Sequence, residues 1–128
     1  MTVRAVRPWR YRLIETEDGG VLDLHVESGH ANWDEEHPLG PKALEALADD
    51  PVRADLLFAA LHAVRQGRER VPADLIDLVA LGDEGDVSRR LDAIDRARKG
   101  ACSNMMRILR GRPERTWFGG WFGGRPPA

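Results

Sequence analysis

At 128 residues, 42% hydrophobic and 31% charged, the chain has the length and composition of one globular domain around one core. No apolar run approaches the roughly 20 residues needed to cross a bilayer, and the N-terminal MTVRAVRPWRYR has positive charge without an apolar stretch behind it, so a cytoplasmic protein is expected. The net charge of −2 conceals a split: residues 89–128 carry ten basic against three acidic side chains, a balance of +7, which leaves −9 on the first 88. A terminal part of this kind either meets a negative partner or folds back on the acidic half.

From Arg7 to Val26 the pattern alternates. Trp9, Tyr11 and Leu13 fall on one face with Arg10 and Arg12 opposite, Thr16-Glu17-Asp18-Gly19-Gly20 supplies turn chemistry, and Leu22, Leu24 and Val26 share the buried face of a return strand. Val3–Val6 adds a short edge strand. Glu27–Gly40 lacks an apolar period and reads as a loop around one anchor, Trp33.

Five helical segments follow. Pro41 opens the first, with Leu44, Leu47 and Ala48 inward, and Asp50 before Pro51 caps a core helix to Gln66 that ends at Gly67. Leu57, Phe58, Leu61 and Val64 form its inward stripe. Pro72 opens a third helix through Leu81, stopped by Gly82. Asp86 caps a fourth with Val87, Leu91, Ile94 and Ala97 inward, and its last turn places Arg96, Arg98 and Lys99 at the negative end of the helix dipole. A fifth spans Ser103–Arg110. The predicted fold is therefore α+β: an N-terminal antiparallel β-hairpin packed on four to five short helices, as one domain over residues 1–111, with a flexible basic, aromatic, Gly/Pro-rich tail over residues 112–128.

No catalytic constellation stands out. GxSxG, GxxxxGK[ST] and GxGxxG are all missing, nothing among the acidic residues singles out a carboxylate pair, and no cofactor is expected. Cys102 reads as a small apolar filler near a helix start, and a lone cysteine excludes an internal disulfide. His30, Asp34, Glu35, Glu36 and His37, with His25 nearby, are the one concentration of metal-ligand types. Their spacing matches no zinc motif, and the segment reads as a solvated acidic loop rather than a metal site. The second and third helices could be drawn as a helix-turn-helix, but Asp74 and Asp77 on the would-be recognition helix repel phosphate.

The tail carries the candidate binding residues. Trp117, Phe118, Trp121 and Phe122 belong to a tandem Trp-Phe-Gly-Gly repeat, and Arg107, Arg110, Arg112, Arg115 and Arg125 surround them. Arginines that release counterions and aromatic faces that stack bases suit single-stranded nucleic acid. The plainer reading tucks one or both aromatic pairs into the domain as a terminal anchor. Two further readings make the tail a peptide ligand for a protein partner, or the modifiable end of a ribosomal peptide precursor.

The hairpin with Trp33-Asp34 behind it, followed by DPVRADLLFAALHAVRQGRERVPADLIDLVALGD from Asp50 to Asp83, resembles the tail assembly chaperones of actinobacterial tailed phages. The likeness covers residues 7–85, with Arg65-Gln66-Gly67 in the place of an Arg-x-Gly step and Phe58 and Leu61 on the apolar helix. It departs in lacking an Ala-Trp in the central helix and in continuing into the basic tail. The resemblance implies a non-enzymatic protein that binds a phage tape-measure protein in the host cytoplasm, with no catalytic residue. Protein binding is the function expected, single-stranded nucleic acid the alternative partner, and no membrane is implied.

Overall fold

The structure is a computed structural model that describes residues 1–111 and 120–123. Four strands, β1 (Thr2–Arg7), β2 (Tyr11–Thr16), β3 (Gly19–Ser28) and β4 (Ala31–Leu39), form an antiparallel meander in the order β1-β2-β3-β4. Five helices follow: α1 (Pro41–Asp49), α2 (Pro51–Gln66), α3 (Leu75–Leu81), α4 (Glu84–Ala97) and α5 (Ala101–Leu109). The α+β class stands, but the two-stranded hairpin with an edge strand is a four-stranded sheet. None of the described helices is long and apolar enough to cross a membrane.

The segment read as a loop around Trp33 is β4. It does alternate, with Trp33, Glu35, His37 and Leu39 on the inner face and Asn32, Asp34, Glu36 and Pro38 exposed. Its two central inner residues, Glu35 and His37, are polar, so hydrophobic periodicity is silent. Glu35 makes them fit by accepting hydrogen bonds from Trp33 Nε1, His37 Nε2 and Arg65 Nε, each at 2.9 Å. Burial works against the Glu35 charge, yet the bonds from Trp33, His37 and Arg65 outweigh it and hold the carboxyl below its ordinary range.

Register fixes the inner face. Leu13 pairs with Leu22, Leu22 with His37, Tyr11 with Leu24, and Val26 with Trp33. At the β2–β3 turn Gly19 has φ +144°, and a Cβ there would stand 2.5 Å from the Leu39 carbonyl oxygen, so the chain needs glycine where β3 passes the end of β4. The edge strand β1 has a register shift between Val3 and Ala5. Arg4 lies in that irregularity and pairs with Glu15 and with Glu45 of α1, at 2.6 and 2.7 Å.

The layer above the sheet is organised by α2. The Asp50 carboxylate accepts from the N–H groups of Val52 and Arg53, and every residue from Ala54 to Val64 is buried. The sequence suggests a stripe, but the helix is enclosed on all sides, as its Ala54, Ala59, Ala60 and Ala63 permit by letting neighbours approach closely. Three helix starts differ from expectation. Pro72 to Asp74 make a separate turn, with the Leu75 N–H bonded to the Pro72 carbonyl, before α3 begins. Asp83 caps α4 by accepting from the Asp86 N–H at 2.8 Å, so Asp86 stands inside the first turn. The left-handed Gly100, at φ +84°, starts α5 two residues before Ser103, whose N–H and hydroxyl bond Asp95. Cys102 is fully buried against the Ala59 carbonyl, and burial pushes its thiol up to about 12.

His62 is the one imidazole in this core, 4% exposed and packed on Phe58. Its Nε2 accepts the Glu27 N–H at 3.2 Å, which requires that nitrogen unprotonated. Burial lowers its pKa below the ordinary 6.5; the nearby Glu27 opposes this, while Arg10 and His25 reinforce it. The stabilisation is complete above the unfolded-state value and is lost as pH falls towards the folded-state one. Between about pH 7.5 and 5.5 the thermal midpoint of the parent should therefore fall more than that of His62→Gln, whose amide oxygen can still accept the Glu27 N–H. Parallel profiles from differential scanning fluorimetry would refute this.

Candidate binding surfaces

The sheet has two unlike faces. Helices cover the one that carries Leu13, Leu22, Leu24 and Val26, whereas on the opposite face no described side chain is buried. Register sets Val3, Ile14, Val21 and Pro38 in one apolar row across all four strands, and Val6, Arg12, Asp23 and Glu36 in a neighbouring charged row. Arg12 and Asp23 are bonded at 2.6 Å, as are His25 Nδ1 and Asp34 at 2.7 Å, so cations and anions on this face largely answer each other.

Trp9 stands at the end of this face. The sequence suggests that it shares the buried face with Tyr11 and Leu13, but it lies in the β1–β2 turn and is 82% exposed. The turn runs Arg7-Pro8-Trp9-Arg10, closed by a 2.9 Å bond from the Arg10 N–H to the Arg7 carbonyl. Proline at its second position and positive φ at its third define a turn that normally puts glycine third. Here Trp9 has φ +65°. A bulky side chain in that region costs roughly 1–2 kcal/mol, and this one recovers little of it by burial. Its ring walls a groove of about 310 Å³ with Val6, Arg12, Asp23, His25 and Asp34.

What fixes the corner lies beneath it. Asp55 of α2, 4% exposed, accepts from Arg7 Nε at 3.0 Å, Arg7 Nη2 at 2.7 Å and the Tyr11 hydroxyl at 2.7 Å. Burial first, and then Asp55, push the Tyr11 hydroxyl far above its ordinary pKa, and the bond to Asp55 raises that of Arg7. The residues on either side of the Pro8–Arg10 turn are thereby bonded to one carboxylate.

The tail residues divide. Arg112, Arg115, Trp117, Phe118 and Arg125 lie outside the described residues. Trp121 is 7% exposed and belongs to the core, its Nε1 bonded to Asp92 of α4 at 2.8 Å and its carbonyl accepting from Arg110 at 2.9 Å. Phe122 packs against the same core with the Arg53 guanidinium 5.5 Å from its ring centre. The second aromatic pair is thus a terminal anchor, and Arg110 serves it. Arg107 bonds Asn104 on its own helix. The basic half also folds back on the acidic one, through Arg90 with Asp74 and Arg98 with Glu69.

The histidine-containing segment does not converge. His25 faces Asp34 on the open side of the sheet, whereas His37 faces Glu35 on the other. Among the described residues, no three His, Cys, Asp or Glu side chains form a group able to hold a metal ion. Trp9 is the surface residue that sequence reasoning misplaced, and the Pro8-Trp9 pair at a strand end was the available signal for a turn.

Tyr11→Phe should cost about 1–2 kcal/mol by removing one donor to a buried carboxylate. Asp55→Ala, which strands the buried Tyr11 hydroxyl while Arg7 is left open enough to be solvated, should cost about 1–3 kcal/mol, both read as urea midpoints. Compared with known proteins, the chain matches no family model, no curated protein and no solved structure.

Proposed function

We propose that this chain is a non-enzymatic protein-binding protein of the assembly type, and that it engages its partner through the uncovered face of the sheet with Trp9 as the anchor. The observation that carries this reading is the cost of Trp9: the side chain is 82% exposed while its backbone sits at φ +65°. The bonds to Asp55 hold the flanks of the turn, but the exposed indole itself gains little by burial. An interface would supply that gain, since tryptophan buried in a partner's pocket is a leading source of binding energy. The apolar row of Val3, Ile14, Val21 and Pro38 supplies a drier strip beside it, and the paired charges of Arg12, Asp23, His25 and Asp34 supply a polar rim.

The sharper form of the proposal rests on the sequence resemblance to tail assembly chaperones, and makes the partner a phage tape-measure protein. A nucleic-acid partner has less support on this face, because Asp23, Asp34 and Glu36 stand among its cations.

Trp9→Gly separates stability from binding. Glycine accepts the left-handed turn without strain, so the thermal midpoint should stay level or rise, by an amount equivalent to about 1 kcal/mol. The companion held by the immobilised parent from native lysate should fall by tenfold or more. A companion retained equally by Trp9→Gly would overturn the assignment of this face. Salt-sensitive retention on single-stranded nucleic acid that survives the substitution would instead move the function to the basic tail.

A further inference from the structure

The tail contains the same four residues twice, Trp-Phe-Gly-Gly at 117–120 and again at 121–124. The second copy places its aromatic pair in a notch that is already built. Arg53 of α2 is held there by the carbonyls of Val79 and Gly82, at 3.0 and 2.7 Å, so its guanidinium is fixed before Phe122 meets it. Asp92 of α4 meets the indole N–H, and Arg110 meets the tryptophan carbonyl. These contacts read an indole donor, a main-chain carbonyl and a phenyl face, all of which the first copy also has.

We propose that the notch framed by Arg53, Asp92 and Arg110 is a recognition site for the dipeptide Trp-Phe, selected by sequence rather than by position, with Trp117-Phe118 of the same chain as its alternative ligand. One difference ranks the two. Trp121 follows Gly120, which has φ +67°, whereas Trp117 follows Thr116, a β-branched residue to which that conformation is costly. The second copy is therefore the preferred occupant and the first a reserve. Tethering keeps either copy at an effective concentration of about millimolar, so a free peptide competes well only when both are disabled.

The test uses the full-length chain with Trp117→Ala, Trp121→Ala and both substitutions together, measured by thermal midpoint. Trp117→Ala should be nearly silent and Trp121→Ala should cost a part, while the double variant should lose clearly more than the two single losses added. The peptide Thr-Trp-Phe-Gly-Gly, blocked at both ends, should then raise the midpoint of the double variant in a saturable way. It should leave the parent unmoved below about 1 mM, and Asp92→Ala in the double variant should weaken the effect by tenfold or more. The proposal is overturned if Trp121→Ala alone causes the whole loss, if the losses simply add, or if the peptide does not shift the double variant. Should that variant fail to fold, the corresponding Trp→Phe chains, which lose the indole N–H to Asp92 but keep an aromatic ring, are compared in the same way.

Discussion

A carboxylate inside the helical layer governs the Trp9 corner of this molecule. Asp55 lies in the stretch of α2 where every residue is buried, and an unpaired charge there would be untenable. The Arg7 fork and the Tyr11 hydroxyl make it tolerable, and both come from residues bordering one short turn. Charge satisfaction in the core and geometry at the surface are thus a single constraint. The strained Pro8-Trp9 turn persists because its two flanks are held from below.

The two proposed binding surfaces lie on different layers and differ in kind. The notch for Trp121 is formed by helices and is filled by the chain itself, with the indole N–H and the main-chain carbonyl of the tryptophan both answered. The open sheet face presents Trp9 together with a row of aliphatic side chains that no described residue covers. The charge split of the sequence belongs to the first of these more than to the second. Arg90, Arg98 and Arg110 are engaged within the fold, so among the described residues these three of the basic half help hold the helices and the Trp121 segment together.

Much of the helical layer was legible because its signals are local. Asp50-Pro51 marks a helix start by capping chemistry, Gly82 marks an end, and the stripe through Val87 and Leu91 needs no knowledge of the partner element. β4 was not legible, since Trp33, Glu35 and His37 become an inner face only when Arg65, thirty positions away, supplies the third bond to Glu35. Trp9 was misread because alternation continues through Arg7-Pro8-Trp9 in the sequence while the chain is already turning. The seat of Trp121 was invisible for the same reason as β4: Asp92 and Arg53 acquire their meaning from tertiary contact.

The two margins of the sheet have a consequence of their own. β4 carries Pro38, which offers no N–H to a newcomer, beside outward Asp34 and Glu36, and β1 is broken in register at Arg4. Lateral growth by borrowing a strand from a neighbour, the usual hazard of an open meander, is discouraged at both ends. The proposed companion is left to lie flat across the strands rather than to extend the sheet at either margin.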